Sequence, residues 1–496
     1  MRIFEDIAQN EKYIKERMSI PLSADAIFRE FAIVSKGKKH KAFLIYYEGL
    51  ASNERIDQSI LESLHILPQN GDDLERMIAE QLLSVNQLVL ADDFEKVLPV
   101  VNYGGCAVFV DGIAKAYILD VKGWQMRGVG EPKTENVVRG SQEAFIETMR
   151  INTSLVRRLV RQEKLICEIH TVGTESHTPL SLMYIKDKAD AETVEEIKRR
   201  INAINTEYIT DSGELEQLLE DFSFFPSPQI ISTERPDRAA TALMEGKAVV
   251  ILDGTPFVLI MPINAFDLIH TPEDNALRVP YANLVRLMRI ISLIISLLLP
   301  GIFVAVCNFH QEVIPVHLLF AISATRRGVP FSLITELILF EIAFEIIREA
   351  SIRIPSAAGS SIGIIGGLII GQAAIEANIV SPMVIIIVAL TGIGSFTIPN
   401  YSLTFAYRIL KYGYILLAAV AGMPGITLGL AVHTVMLCNS QSFGVPFLAP
   451  FSDCIKKSTG RLFVSPVWKR QEYNQPRKWA NGTNSNNTPV KTTKIR

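Results

Sequence analysis

The sequence predicts an α/β region of two small subdomains followed by an α-helical multi-pass membrane domain. Three observations carry that expectation. Charge is segregated: residues 282–496 hold 18 Lys and Arg against 8 Asp and Glu, while residues 1–281 hold 31 against 44, so the net −3 of the chain is a near-cancellation. Charged residues are only 20% of the 496, and the mean hydropathy is +0.24, where a soluble chain of this length has a negative value. The acidic half alternates short β-type runs with helical patterns, whereas the basic half contains long uncharged stretches. Together they exclude a purely cytosolic enzyme, a secreted disulfide scaffold and a nucleic-acid binder reliant on a basic domain; no nucleic-acid partner is expected.

In the acidic half, the run from Lys41 to Tyr47 reads as a strand and leads into a helical stretch opening near Asn53. The same order returns where Leu180 to Ile185 precedes a helix from about Ala191 to Ile204. Each unit then has an acidic helical stretch and a strand ending in Asp-Gly, Ala107 to Gly112 and Ala248 to Gly254. The Asp-Gly pair reads as a tight hairpin turn, since Gly supplies the positive φ such turns need. The repetition suggests an internal duplication, with chance similarity of short hairpins as the alternative. The expected domains are 1–130 and 131–280, both α/β, then a membrane domain at 284–438 with four to six helices. Residues 439–496 form a basic cytoplasmic tail, disordered at its end.

The helical half supplies spans at about 288–308, 361–378, 382–399 and 413–437, with kinks at Pro300-Gly301 and around Met423-Pro424-Gly425. The segment 313–347 is ambiguous: an interfacial or re-entrant pair, or a helical hairpin raising the count to six. Either even count puts both termini on one side. Acids in Met1-Arg2-Ile3-Phe4-Glu5-Asp6, where a signal peptide has its apolar core, and ten basic residues against two acidic ones from Asp453 onward, make that side cytoplasmic. Arg408 and Lys411 then fall in a short outward-facing loop, which counts against this topology.

Two patterns in this half could carry function. Gly363, Gly367 and Gly371 recur every fourth residue, a stripe that lets a neighbouring helix approach closely, either within one subunit or around an oligomer axis. Gly392 lies off that stripe and is expected to tolerate a side chain better. Glu341, Glu345 and Glu349 share one helix face, with Glu336 set off it. In lipid they must meet water, a pore or Arg partners such as Arg348 and Arg353. They read either as the wet side of an interfacial helix or as a vestibule that attracts cations. No Walker loop, Rossmann glycine pattern, metal-binding His pair or Cys ligand spacing occurs, so no catalytic residue, cofactor or metal is assigned. Gly359-Ser360-Ser361-Ile362-Gly363 matches a nucleophile elbow by coincidence: a membrane helix follows the Ser, where a soluble one is required.

Several long motifs resemble the A subunits of GerA-type spore germinant receptors, in the family's order over residues 25 to 455. The first is EPKTENVVRG, with Glu131, Pro132, Glu135, Arg139 and Gly140, leading into FIETMRINTSLVRRLVRQEKL. The next opens on Arg235, Pro236, Asp237 and Arg238 and runs through Asp253, Gly254 and Pro256. FEIIREASIRIP follows, with Arg348, Glu349 and Pro355, then GIIGGLIIGQAAIEANIVSP, and last SFGVPFLAPF with Ser442, Phe443, Gly444 and Pro446. Two departures are Gly140-Ser141 where Gly-Pro is usual, and Glu273-Asp274-Asn275-Ala276 in place of an acidic pair followed by tyrosines. The resemblance implies a multi-pass protein of the spore's inner membrane, working with a permease-like B subunit that binds the nutrient and a lipoprotein C subunit. It further implies a homo-oligomeric, germinant-gated cation channel in contact with membrane lipid. A secondary transporter component and a non-conducting scaffold stand as alternatives.

Overall fold

The computed structural model describes residues 1–448 and Val464, except 36–37, 66–73, 82–87, 124–129, 222–225, 354–368 and 370. The tail expected at 439–496 thus lies mostly outside the described residues.

Two antiparallel five-stranded sheets occupy the acidic half. The first contains β1 (Ala26–Ser35), β2 (Lys38–Tyr47), β3 (Leu88–Ala91), β4 (Cys106–Val110) and β5 (Ala116–Leu119), in the order β1-β2-β4-β5-β3. The second contains β6 (Leu165–Val172), β7 (Thr178–Ile185), β8 (Ile231–Thr233), β9 (Ala248–Leu252) and β10 (Val258–Met261), in the order β6-β7-β9-β10-β8. The orders are equivalent, and the equivalence reaches individual hydrogen bonds. From within helix α1 (Ile7–Arg17), Asn10 closes a ring with the backbone of Phe4, ahead of the helix, at 2.9 and 2.7 Å. From within helix α2 (Met149–Leu159), Asn152 does the same to Ile146 at 2.9 and 2.5 Å. Asp111 accepts from the first N–H of α1, and Asp253 from the first N–H of α2. Gly112 and Gly254 follow, with φ of +86° and +91°, and donate to Glu5 and Glu147. Each second-unit residue stands 142 positions after its counterpart, as Asn152 does after Asn10 and Gly254 after Gly112. The duplication therefore begins one helix earlier than the strand pattern indicates. The Asp-Gly pairs open five-residue connections rather than two-residue turns.

Strand alternation buries both faces of each sheet, because adjacent residues point to opposite sides. In the first unit Phe43 and Phe109 face α1, while Leu44 and Val108 face the helical stretch after Asn53. In the second unit Leu182, Val250 and Leu259 meet helices α3 (Ala191–Ala203) and α4 (Ser212–Leu219). Its other face meets α2 and α5 (Pro236–Met244), and that core also takes in Ile398, Leu403 and Phe447 from the helical half. The units are joined by a buried ion pair. Arg157 of α2 grips Asp25, the residue before β1, with Nε and with Nη2 at 2.7 Å, and donates to Ser23 and to the Leu165 carbonyl. Its guanidinium lies 3.9 Å over the Tyr47 ring.

The helical half contains α6 (Val279–Phe309), α7 (Val316–Arg326), α8 (Leu333–Arg353), α9 (Pro382–Phe396) and α10 (Tyr401–Asn439). Two of them, α6 and α10, are long and apolar enough to cross a membrane, and α7 and α9 are shorter apolar helices. The span expected at 413–437 is not one rod. At Gly422, φ +63° and ψ −141° break α10. Tyr414 and His433, about 28 Å apart on a straight helix, come within 3.2 Å through the Tyr hydroxyl and Nδ1. The chain doubles back there, a reversal only Gly allows cheaply, with Pro424 just beyond it. Arg408 and Lys411 correct the expectation of an outward loop: both lie inside the first leg of α10, and Lys411 is buried.

Two joints bind this half to the second sheet unit. Asp274, fully buried, accepts Arg286 Nε at 2.8 Å and Arg289 Nη1 at 2.9 Å from the first turns of α6. Burial alone would raise the Asp274 carboxyl, but Arg289 and Arg286 outweigh it and hold the group below its ordinary range. After α10, Ser442 Oγ donates to the Gln229 carbonyl at 2.7 Å and accepts from Ile263 N–H at 3.1 Å, while Arg200 lies 4.5 Å from the Phe443 ring.

Removing one partner of a buried pair strands the other charge. Arg157→Met should cost about 3–5 kcal/mol, read as a fall in the thermal unfolding midpoint. Adding Asp25→Asn should recover part of that loss, and a fall of the same size in both variants would mean that packing, not charge, holds the units together.

Candidate functional site

Helix α8 places the four expected acids, and Glu336, Glu341 and Glu345 meet cations of α7 and α10. Glu336, near its start, is buried and accepts from the backbone N–H of Ser381, the cap of α9. That is a favourable place for an anion, because helix N-termini carry partial positive charge. Its other oxygen lies 3.7 Å from Arg326 Nε of α7. Glu341, with no exposed surface, pairs with Lys411 Nζ and lies 3.4 Å from Thr391 Oγ1 of α9. Glu345 accepts Arg408 Nη1 at 2.8 Å and lies 3.5 Å from Arg348 Nη1. Arg348 also donates to Ser395 Oγ at 2.8 Å and lies between the rings of Phe344 and Phe396. Glu349 ends the face in an exposed position. The three acids do share a face, as the i, i+4, i+8 spacing requires, but exposure climbs along it from Glu341 to Glu349.

The depth of this cluster follows from the packing of α6 on α10. A Cβ at Gly301 would sit 3.2 Å from the Tyr414 carbonyl, and one at Gly422 would meet Phe309 at 3.1 Å, so the two helices run side by side in the same direction. Lys411 lies one turn before Tyr414. By the helical rise this puts the Glu341–Lys411 pair roughly 17 Å from either end of the stretch between Arg286 and Phe309. A buried ion pair thus sits midway along the apolar layer. Sequence reasoning missed the roles of Lys411 and Arg408 by treating a charge as the end of a span. A lone cation inside an apolar run was the available signal.

The glycine stripe is only partly visible. Gly363 and Gly367 lie outside the described residues, as does Pro355; Gly371 is described, and no described atom lies within 4 Å of where its Cβ would be. Gly392 reverses its expectation. A Cβ there would come within 2.5 Å of the Phe344 ring, so Gly392 is a point of close packing between α8 and α9.

The motif residues of the acidic half hold the linker between the sheets. Arg235, among the most buried side chains, donates to the carbonyls of Glu135 and Ser141 and pairs with Asp237 at 2.7 Å. Glu135 pairs with Arg238 and accepts from Thr233 Oγ1. Pro236 opens α5, and Pro132 is buried where Glu131, Arg139 and Gly140 are exposed. Ser141, which departs from the usual Gly-Pro, gives its carbonyl to Arg235 and accepts from the Glu143 N–H through Oγ at 3.3 Å. Beside the linker, a cavity of about 290 Å³ lies between the second unit and the start of α10, lined by Glu135, Asp211, Glu216, Phe257, Asn400 and Tyr401. Burial, with Glu220 and Asp211 nearby, pushes the Glu216 carboxyl up to about 8. Among the described residues no group of acids, histidines or cysteines is arranged to hold a metal ion.

Comparison with known proteins places these features. A family model described as Bacillus/Clostridium GerA spore germination protein matches residues 12–476. Spore germination protein KA of Bacillus subtilis (strain 168) is 38% identical over 90% of this chain and 82% of its own. Spore germination protein A1 of the same organism is 35% identical over 94% of this chain and 97% of its own. A solved structure, the N-terminal domain of the A subunit of the Bacillus megaterium spore germinant receptor GerK3, is 29% identical, covers 52% of this chain and 96% of its own, and superposes with a TM-score of 0.42.

The raised Glu216 carboxyl has a signed consequence. Between the ordinary value of 4.5 and about 8 the folded chain keeps a proton that the unfolded chain has released, so this group's contribution to stability falls as pH rises through that window. Glu216→Gln removes the effect. The stability it gains over the parent should grow from about pH 5 to about pH 8 in thermal unfolding. A gain independent of pH would mean that Glu216 titrates as an ordinary solvated acid.

Proposed function

The chain belongs to the GerA spore germination family, and from that premise we propose that it is the A subunit of a nutrient germinant receptor in the spore inner membrane. In this reading it assembles with copies of itself into a germinant-gated cation channel, alongside a permease-like B subunit and a lipoprotein C subunit. The role is non-enzymatic and needs no cofactor. Both termini face the cytoplasm. The return of the chain onto the second sheet unit after α10, and the basic residues beyond Asp453, support that orientation.

One observation carries the reading: charged side chains buried midway along an apolar helical layer that is tied to a soluble module. Ionisable groups at such depth are costly and mark ion paths or switches more often than scaffolding. Glu336, Glu341, Glu345 and Glu349 are the proposed acids of the ion path, and Gly363, Gly367 and Gly371 the proposed contact around the oligomer axis. The pairing of Glu341 and Glu345 favours a second reading, a non-conducting scaffold, because the cations neutralise the potential that an acidic ring would otherwise hold.

Purified chain in liposomes separates the two. The channel reading expects an oligomer in detergent and a cation leak that scales with it, and Gly367→Leu, by forcing backbones apart, should break up the oligomer. A monomer that binds its partners and passes no cation establishes the scaffold.

A further inference from the structure

Helix α8 is anchored unevenly. Among its described residues the fully buried apolar side chains, Leu333 and Leu337, both lie in its first turns, together with Glu336. Beyond Leu337 the described residue with the least exposed surface is Glu341, while Leu339, Ile342 and Ile346 are exposed. Phe344 rests on Gly392 of α9, but towards α10 the later part of α8 reaches across through charged side chains, Glu341 to Lys411 and Glu345 to Arg408. The pairs are spaced by one turn on each helix, 341 and 345 against 411 and 408, and the helices run antiparallel, so both form or both break with one movement. The cluster is also incompletely satisfied. Nε of Arg348 and Nε of Arg408 are buried without a hydrogen-bond partner among the described residues.

We infer that the Glu341–Lys411 and Glu345–Arg408 pairs are a latch that fastens the later part of α8 to the first leg of α10, with the Leu333–Leu337 end as the pivot. This rests on the reading of the chain as a conducting subunit: with the latch closed the acids are neutralised by α10, and with it open they are released from their cations. Three properties suit the pairs to that task. A buried pair contributes little net stability over apolar packing, so parting it in concert with new contacts is feasible. Attraction in an apolar layer falls steeply once water enters, which makes the closed and open arrangements distinct. Among the described residues the two guanidinium nitrogens without partners leave the closed form short of its best hydrogen bonding.

The test uses the full chain with its partner subunits in spores. Lys411→Met and Arg408→Met each break one pair, and Glu341→Lys combined with Lys411→Glu restores the first in reverse. Cation release without nutrient should rise by roughly tenfold or more in each single variant, as removal of a closed-state contact shifts the population, and should return towards the parent in the exchange. A second readout does not depend on conduction. Thr391→Cys, against Glu341, should label with a membrane-permeant thiol reagent faster when Lys411→Met is present. Unchanged labelling, or an exchange as leaky as the singles with normal protein level, overturns the latch. If Lys411→Met fails to accumulate, Arg408→Met, whose partner Glu345 is partly exposed, carries the same test. A parent that labels as expected yet passes no cation rejects the conduction reading alone.

Discussion

An ionised side chain withdrawn from water must find its counter-charge, and three joints of this molecule are built on that constraint. Asp25 and Arg157 join the two sheet units. Asp274 with Arg286 and Arg289 joins the second unit to the helices. Glu341 with Lys411 joins helix to helix inside the apolar layer. Between the joints, apolar packing of the ordinary kind fills the sheets and their covering helices. The pairs fix which surfaces meet, since a register slip of one residue would leave a buried charge alone.

The duplicated units show what such a joint adds to a shared fold. They repeat strand order, the Asn ring and the Asp-Gly connection, yet differ in their surroundings. The first unit's sheet is covered mainly by its own helices, while one face of the second is completed by Ile398, Leu403 and Phe447 from beyond α6. The second unit is therefore an adaptor, continuous in its core with the helical half and held to it where the chain leaves, at Asp274, and where it returns, at Ser442.

What the sequence made legible was local. Asp-Gly at 111–112 and 253–254 could be read because positive φ restricts the residue type, and the strand from Leu180 to Ile185 because its apolar run is short and flanked by polar residues. The number of units, the helix opening at Ala191 and the apolar helical half followed from the same short-range signals. The sites did not, because their partners are remote: Arg235 meets Glu135 100 residues away, Arg157 meets Asp25 at 132, and Lys411 meets Glu341 at 70. A reader of windows sees a charge and infers water nearby. Lys411 instead finds a carboxylate on another helix, and the doubling back at Gly422 that shapes its leg shows in the sequence only as a kink around Met423-Pro424-Gly425.

The same arithmetic bears on why charge is present at this depth at all. Replacing a buried pair by apolar side chains of similar volume is often neutral or stabilising, so α8 and α10 could pack without Glu341 and Lys411. Removing water from both groups is costly, and among the described residues two neighbouring guanidinium nitrogens have no hydrogen-bond partner even after the pairs form. An apolar seam would bind with no such deficit, but its attraction is non-directional and indifferent to small slides along the helix. A charge pair prefers one register and loses most of its attraction on leaving it. The arrangement of acids on α8 and cations on α10 therefore favours discrete positions over maximal adhesion, which is the property the proposed latch requires.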